Sequence, residues 1–294
     1  YPSHPKVKHA GTPGQSDTSA TSMGSALSPV VFQPPEPSYP KDGNLIWLNT
    51  SEHEVIPAFY IDKGWKYTLL FSHGNADDLG FIMRDCYELS DKLEANVFAY
   101  EYTGYGMSSG QPSEEAFYSD IDAAFKYLRD IVGVPWEQVI LYGRSIGSGP
   151  SVQLAAKHAV RALVLHSPFL SIYRVALQTS FTLPGDMFPN VDRIGGVSCP
   201  IYIMHGKEDD IVPFWHAEDL VQNCKEGCAY PPLFVENGGH NDLVVVARHE
   251  FFEGLQQFLR WLDKEEIPPD LQKLAEEEEL RGDMRCGPAG TAAP

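Results

Sequence analysis

Residues 138–158 read QVILYGRSIGSGPSVQLAAKH, and this stretch decides the fold. It begins with a short apolar run typical of a buried strand and ends with a helical pattern. Between them, Gly143-Arg144-Ser145-Ile146-Gly147 fits G-x-S-x-G, in which a sharp strand-to-helix turn presents a serine hydroxyl. Gly143 and Gly147 have no side chains, and that turn has no room for any at these two positions. We therefore predict Ser145 as a nucleophile at the carboxyl end of a strand.

A second match to the same pattern serves as an internal comparison. Gly106-Met107-Ser108-Ser109-Gly110 also fits G-x-S-x-G, but no strand runs directly into it. Gln111-Pro112 then separates it from the next helical pattern. Because the elbow requires a strand before it and a helix after it, we interpret Ser108 as a loop serine.

Short apolar runs alternate with helical patterns on both sides of this stretch. Continuous apolar runs are typical of parallel strands that are buried on both faces. The predicted strands are 67–72, 96–102, 138–142, 162–166, 201–204 and 233–236, and the predicted helices are 81–93, 113–132, 146–158, 213–223 and 242–263. Ahead of them, 44–49 and 55–61 predict an antiparallel hairpin. This order predicts an α/β fold with a mainly parallel central sheet, an antiparallel N-terminal hairpin and helices on both faces.

Three further segments define the domain organisation. Residues 167–191 form an insertion longer than a normal crossover, which we interpret as a short cap over a pocket, with completion of the core as the alternative. Residues 1–40 contain eight of the 23 prolines and predict a disordered arm. The catalytic domain is then 41–264, followed by an acidic helical or disordered tail at 265–294.

A nucleophilic serine needs a base, and the base needs an acid that orients it. After the predicted strand 201–204 comes HGKEDDIVP (205–213), where Asp209 is the predicted acid and Asp210 and Glu208 are the alternatives. After the last predicted strand comes a double glycine and His240, the predicted base. Since parallel strands end at one edge of the sheet, Ser145, Asp209 and His240 are expected to converge there.

The oxyanion of such a reaction needs two backbone N–H donors. One is predicted at Ile146, the residue after the nucleophile, and the other at Asn75, in the loop His73-Gly74-Asn75 after the strand 67–72. The alternative is that His73-Gly74 is only a turn that ends the strand.

The charge and the cysteine content of the chain limit the kinds of molecule and compartment that we expect for it. Lys and Arg number 22 against 40 Asp and Glu, and the resulting charge of −18 argues against nucleic acid as a partner. No run of about 18 to 20 apolar residues predicts a membrane span. Five scattered cysteines favour a reducing compartment, so the predicted location is cytoplasmic. No second pair of metal-binding residues lies near Cys224 and Cys228, so no metal site is predicted. No cofactor is predicted either.

Six blocks of sequence carry a resemblance to a known family. They are FSHGNADDLG (71–80), EYTGYGMSSGQPSEE (101–115), LYGRSIGSGPSVQLAAK (141–157), LHSPFLSIYRVA (165–176), HGKEDDIVP (205–213) and GGHNDL (238–243). Together they resemble the alpha/beta-hydrolase-domain-containing protein 17 family of serine hydrolases. The resemblance implies the α/β-hydrolase fold, removal of palmitoyl groups from membrane-bound proteins and peripheral association with membranes. It also implies Ser145, Asp209 and His240 as the triad.

The sequence therefore predicts a serine hydrolase that cleaves acyl thioesters or esters, with a palmitoyl-protein thioesterase as the leading interpretation. Its substrate would be an acylated protein or a lipid ester. The same triad fits a monoacylglycerol-type lipase, a carboxylesterase or, less well, a serine aminopeptidase. The fourth alternative is a non-catalytic scaffold that keeps the fold. Members of the resembled family typically begin with an acylated cysteine-rich segment, whereas residues 1–85 here contain no cysteine.

Overall fold

A single eight-stranded sheet organises the computed structural model, which describes residues 31–41, 44–179, 181 and 184–282. The strands are β1 (Ile46–Asn49), β2 (Val55–Ile61), β3 (Thr68–Ser72), β4 (Asn96–Tyr100), β5 (Val139–Arg144), β6 (Ala162–His166), β7 (Ile201–Gly206) and β8 (Leu233–Val235). Their order in the sheet is β1-β2-β4-β3-β5-β6-β7-β8. β2 pairs antiparallel with β1 and β4, and the other neighbours are parallel. The predicted mainly parallel sheet with an antiparallel N-terminal hairpin is confirmed.

Helices surround the sheet within the described residues, and nine α-helices have their full bounds there. They are α1 (Leu79–Leu93), α2 (Glu114–Lys126), α3 (Ser148–Ala155), α4 (Ile172–Leu177), α5 (Asn190–Arg193), α6 (Trp215–Asn223), α7 (Leu243–Val246), α8 (Arg248–Leu262) and α9 (Pro269–Arg281). Local sequence fixes several of their ends. Asp78 caps α1 by accepting the N–H of Phe81, and Ser113 caps α2 by accepting that of Ala116. No helix in this described part of the chain is long and apolar enough to cross a membrane.

The side chains of β5 show how the sheet divides the core. Successive residues of a strand point to opposite faces. Val139 and Leu141 therefore join a cluster with α2 and α3, whereas Ile140 and Tyr142 join a second cluster with α1 and α8. All four side chains are buried. Helices thus cover both faces of the sheet, as the continuous apolar runs predicted. Polar side chains that could take part in a reaction are therefore expected in the loops at the strand ends.

Two predicted helices differ from the structure. The predicted helix 242–263 is divided at Ala247 into α7 and α8. Its first part contains three consecutive valines, whose branched side chains are poor helix formers. The predicted helix 113–132 ends in a wider, π-type turn at Tyr127–Val132, and Gly133 closes it in the left-handed conformation with φ of 82°.

The described part of the predicted arm is packed on the domain. Residues 31–41 cross the loop after β3, and Phe32, only 3% exposed, packs against the rings of Phe117 and Phe188 at 5.1 and 6.2 Å. This differs from the prediction of disorder through residue 40, because one buried aromatic side chain outweighs the surrounding prolines. Residues 1–30 lie outside the described part of the chain.

The described part of the predicted tail is helical. α9 buries Leu271 and Ala275 against the domain. The rest of that prediction, residues 283–294, lies outside the described residues.

The insertion 167–191 is divided between core and surface. Phe169, Leu170 and Phe188 are buried, and Phe188 lies so close to α3 that a Cβ at Gly149 would be 2.3 Å from its ring. Leu177 and Phe181 are exposed. Most of the described apolar residues of the insertion therefore complete the core, and its role as a cap stays a prediction.

Candidate active site

The turn between β5 and α3 presents Ser145 as the pattern predicts. Ser145 has φ of 51°, in the left-handed region that non-glycine residues rarely adopt. Two glycines allow the chain to turn there. A Cβ at Gly147 would lie 2.2 Å from the carbonyl oxygen of Ser72, and one at Gly143 would lie 2.6 Å from the carbonyl oxygen of Gly147. The serine hydroxyl is thus held at the carboxyl edge of the sheet by backbone packing.

The structure brings the three predicted triad residues together from three loops. His240 Nε2 lies 2.8 Å from Ser145 Oγ, and His240 Nδ1 lies 2.7 Å from Asp209 Oδ2. Ser145 is 95 residues from His240 in the chain, and His240 is 31 from Asp209. A serine, an imidazole and a carboxylate in this order form a path along which one proton can move from the hydroxyl to the ring.

Asp209 is buried, but its hydrogen bonds favour the ionised form of its carboxyl group. Its Oδ1 accepts the backbone N–H groups of Ile211 and Val212 at 3.0 and 2.7 Å. Burial opposes the charge, but hydrogen bonds from His205 and His240 hold the pKa of the Asp209 carboxyl well below its ordinary value. The neighbouring alternatives, Asp210 and Glu208, are exposed.

Of the two predicted oxyanion donors, Ile146 directly follows Ser145 in a short 3-10 turn, and Asn75 lies in the loop after β3. The side chain of Asn75 is fully engaged: its Oδ1 accepts the N–H of Gln33 and the hydroxyl of Tyr105, and its Nδ2 donates to the carbonyl of Val31. Among the backbone hydrogen bonds of the described loops, none uses the N–H of Asn75 as its donor. The main-chain N–H of Asn75 is therefore the group that we expect to meet a substrate.

Arg144 joins the loop after β3 to the loop that carries His240. Its Nη1 donates to Asp77 Oδ2 at 2.5 Å, and its Nη2 donates to Asn241 Oδ1 at 2.8 Å. The contact between Arg144 and Asp77 is a salt bridge. Asn241 is not among the predicted site residues, although it directly follows His240 in the chain.

Ser108 lies elsewhere, in the loop between β4 and α2. Its backbone N–H donates to the carbonyl of Tyr105 at 2.9 Å, within a turn that no strand enters directly. The second match to G-x-S-x-G therefore has neither the elbow nor the strand that the first one has.

A groove of about 610 Å³ leads away from His240 between α1 and the α7–α8 pair. Its apolar walls include Ile82, Val244 and Phe252. Asn75, Arg144, His240 and Asn241 also line it. Charged side chains share the lining with the apolar ones: Asp77, Arg84, Asp85, Glu88 and Arg248. The groove therefore places both apolar and charged surface beside the candidate catalytic groups.

The described residues offer no metal centre. Among them, no group of three or more His, Cys, Asp or Glu side chains is arranged to hold a metal ion. Within the same part of the chain, Cys86, Cys199, Cys224 and Cys228 are free thiols.

Comparison with known proteins agrees with the fold. Residues 65–192 match the family described as "Serine aminopeptidase, S33". An esterase of Pyrococcus furiosus superposes with a TM-score of 0.66 and 17% identity, covering 78% of this chain and 98% of that one. Mouse alpha/beta hydrolase domain-containing protein 10 gives 0.58 and 18%, covering 75% and 100%. The fold and these matches define an α/β hydrolase.

Sequence similarity places the chain within that superfamily. Human alpha/beta hydrolase domain-containing protein 17C is 45% identical over 195 residues, which is 66% of this chain and 58% of the relative. Alpha/beta hydrolase domain-containing protein aho-3 of Caenorhabditis elegans is 38% identical over 262 residues, covering 80% and 78%. The chain belongs to the alpha/beta hydrolase domain-containing protein 17 family, as the sequence blocks predicted. It spans about 60% of the length of the 17C relatives.

Proposed function

We propose that this protein is a serine hydrolase that removes long acyl groups from protein thioesters, a palmitoyl-protein thioesterase. The observation that carries the proposal is the continuous hydrogen-bond chain from Asp209 through His240 to Ser145. Each distance along it lies within the range expected of a nucleophile and its base. The groove that begins at His240 supports an acyl group as the part of the substrate that is bound.

In the first half of the reaction, Ser145 Oγ forms a bond to the acyl carbonyl carbon while its proton passes to His240 Nε2. Asp209 stabilises the imidazolium that results. The backbone N–H groups of Ile146 and Asn75 would donate to the oxyanion, and the N-terminus of α3 adds positive potential there. The carbon–sulfur bond then breaks, and the cysteine thiolate takes the proton from His240.

In the second half, a water molecule gives a proton to His240 as its oxygen attacks the acyl-enzyme carbonyl. The bond to Ser145 Oγ breaks, the serine regains the proton, and a free fatty acid leaves. These steps need no group beyond the side chains and amides named here and one water molecule.

The groove supports a long acyl chain as the substrate. Its volume of about 610 Å³ lies within the range of about 300 to 1,000 Å³ common for ligand sites. Phe81 and Val245 are 69% and 80% exposed at its rim, so the apolar surface continues outward from the walls. Apolar area of this kind stabilises a bound chain in proportion to the area that leaves water, about 25 cal/mol per Å².

The test is turnover of a palmitoylated cysteine peptide by the native chain and by Ser145→Ala. We expect the native protein to release palmitate and react with a fluorophosphonate at Ser145, and the variant to do neither. Ser108→Ala is the matched control, because Ser108 occupies the same motif outside the elbow, and it should retain turnover. Faster turnover of a palmitoyl glycerol ester than of the thioester would indicate a lipase instead. Folded native protein that neither reacts with the probe nor cleaves either substrate would refute the proposal.

A further inference from the structure

A buried ion pair lies directly behind the predicted oxyanion loop. His73, the first residue after β3, and Glu101, the first after β4, are both completely buried. His73 Nε2 lies 2.8 Å from Glu101 Oε1. The second oxygen of Glu101 accepts the hydroxyl of Tyr39 at 2.9 Å and the N–H of Leu79 at 3.1 Å. The carboxyl group of Glu101 is therefore held by three neighbours, one of which is His73.

The other nitrogen of His73 faces the loop itself. His73 Nδ1 lies 2.9 Å from the carbonyl oxygen of Gly74, which accepts hydrogen bonds and donates none. Because Nδ1 faces only an acceptor, it carries a proton that it donates to Gly74, and a second proton on Nε2 makes the ring an imidazolium. Burial opposes this charge, but the charge of Glu101 and its hydrogen bond hold the pKa of His73 above the ordinary value.

The carbonyl that His73 holds belongs to the same peptide unit as the N–H of Asn75. That unit is planar and trans, since no cis peptide bond occurs among the described residues, so its N–H points away from its carbonyl. The Gly74 carbonyl also accepts the N–H of Asp77, at 3.4 Å. A Cβ at Gly74 would lie 2.7 Å from both Arg144 Nη1 and Asp77 Oδ2, so this residue is closely packed. The direction of the Asn75 N–H is therefore set by the shorter bond from His73 together with these contacts.

We propose that His73 is a positioning residue for the hydrolysis, because its Nδ1–H holds the Gly74 carbonyl and thereby directs the Asn75 N–H toward the oxyanion. This inference rests on the proposed function, in which that N–H is an oxyanion donor. Glu101 keeps the ring in place and protonated. Replacing a buried ion pair by apolar side chains often costs no stability, so stability alone is a weak reason for the pair.

The two contacts of the ring can be separated by substitution. His73→Asn places an amide nitrogen near the position of Nδ1, so it can still donate to Gly74 but no longer reaches Glu101. His73→Gln places its nitrogen near Nε2, so it can donate to Glu101 but not to Gly74. The two variants are therefore matched controls for each other, since each keeps one of the two hydrogen bonds.

The experiment measures kcat and KM for an activated acetyl ester, the rate of fluorophosphonate reaction at Ser145, and the melting temperature. Loss of a whole oxyanion donor costs about 10²–10³ in kcat. We expect His73→Gln to lower kcat about 10- to 100-fold with KM within about twofold, and His73→Asn to retain at least tenfold more kcat. His73→Asn should have the lower melting temperature of the two variants, because it leaves Glu101 with one hydrogen-bond partner fewer.

If the two variants have equal kcat, or if their activity follows their melting temperature, the positioning role is overturned. Turnover by the native protein would still support the proposed function in that case. Absence of native turnover and of probe reaction would overturn this inference together with the proposed function. If neither His73 variant folds, Glu101→Gln replaces them: its amide can donate to Nε2 and leave the proton on Nδ1. A fall in kcat of less than tenfold for that variant would support the positioning role, and a larger fall in folded protein would overturn it.

Discussion

Replacing Asp120 by Asn is expected to make the protein more stable, and increasingly so as pH rises. Asp120 lies on α2, completely buried, and accepts the N–H and the hydroxyl of Thr103 at 2.7 Å each. Burial raises the pKa of its carboxyl from 3.8 to about 7, with the charges of Glu101 and Glu54 adding to the effect and the Thr103 bonds opposing it. The folded chain therefore binds this proton more tightly than the unfolded chain does.

A group of this kind lowers stability as pH increases through the interval between its two pKa values. At about 1.36 kcal/mol per pKa unit, the cost to the folded state is about 2 kcal/mol at pH 5 and about 4 kcal/mol at pH 8. The introduced asparagine would resemble the protonated acid, because its oxygen can accept the N–H of Thr103 and its amide can donate to the hydroxyl. Asp120→Asn should therefore raise the free energy of unfolding by these amounts.

The measurement is urea unfolding of both proteins from about pH 5 to pH 8. Asp130→Asn is the control, since Asp130 is exposed in the turn that follows α2 and its replacement removes one negative charge without removing a buried carboxyl. A stability difference for Asp120→Asn that does not change with pH, or a variant less stable than the native chain at pH 8, would refute the reasoning.

Three further outcomes follow from the structure. Asp209→Asn should lower kcat about 10⁴-fold in correctly folded protein, because an amide favours the wrong tautomer of His240, and steady-state kinetics would show it; a loss under tenfold would contradict the role of Asp209. Val244→Trp should narrow the groove and cut kcat/KM for a palmitoyl substrate at least tenfold more than for an acetyl one, and equal losses would place the acyl chain elsewhere. Phe32→Ala should cost about 3 to 5 kcal/mol in urea unfolding, and a cost under 1 kcal/mol would show that residues 31–41 are not part of the cooperative fold.

The sheet and the three groups at its edge were predictable because their signals are local. A buried parallel strand is a continuous apolar run, and the loop that follows it lies at a known edge of the sheet. Gly143 and Gly147 marked the sharp turn, and Asp209 and His240 each followed such a run. The convergence of residues 31 and 95 positions apart thus follows from topology alone.

Other parts of the site depend on partners that no local pattern joins. Glu101 lies 28 positions from His73, and nothing in either neighbourhood indicates that the two are paired. Asn75 is held by Gln33, 42 positions earlier, in a stretch whose prolines predicted disorder. Long-range packing decides these features, and composition does not report it.

The packing of the two ends has a consequence for the smallest piece of this chain that can fold. Glu278 of α9 is fully buried and accepts the N–H of Ala159, while residues 31–41 cover Phe117 and hold Asn75. A fragment cut at residues 41 and 264 would leave that amide without its acceptor and open an aromatic cluster to water. The autonomous unit therefore includes residues 31–41, ahead of the sheet, and α9, more than 30 positions after it. A shortened version would lose order first around the loop after β3, which is predicted to receive the oxyanion.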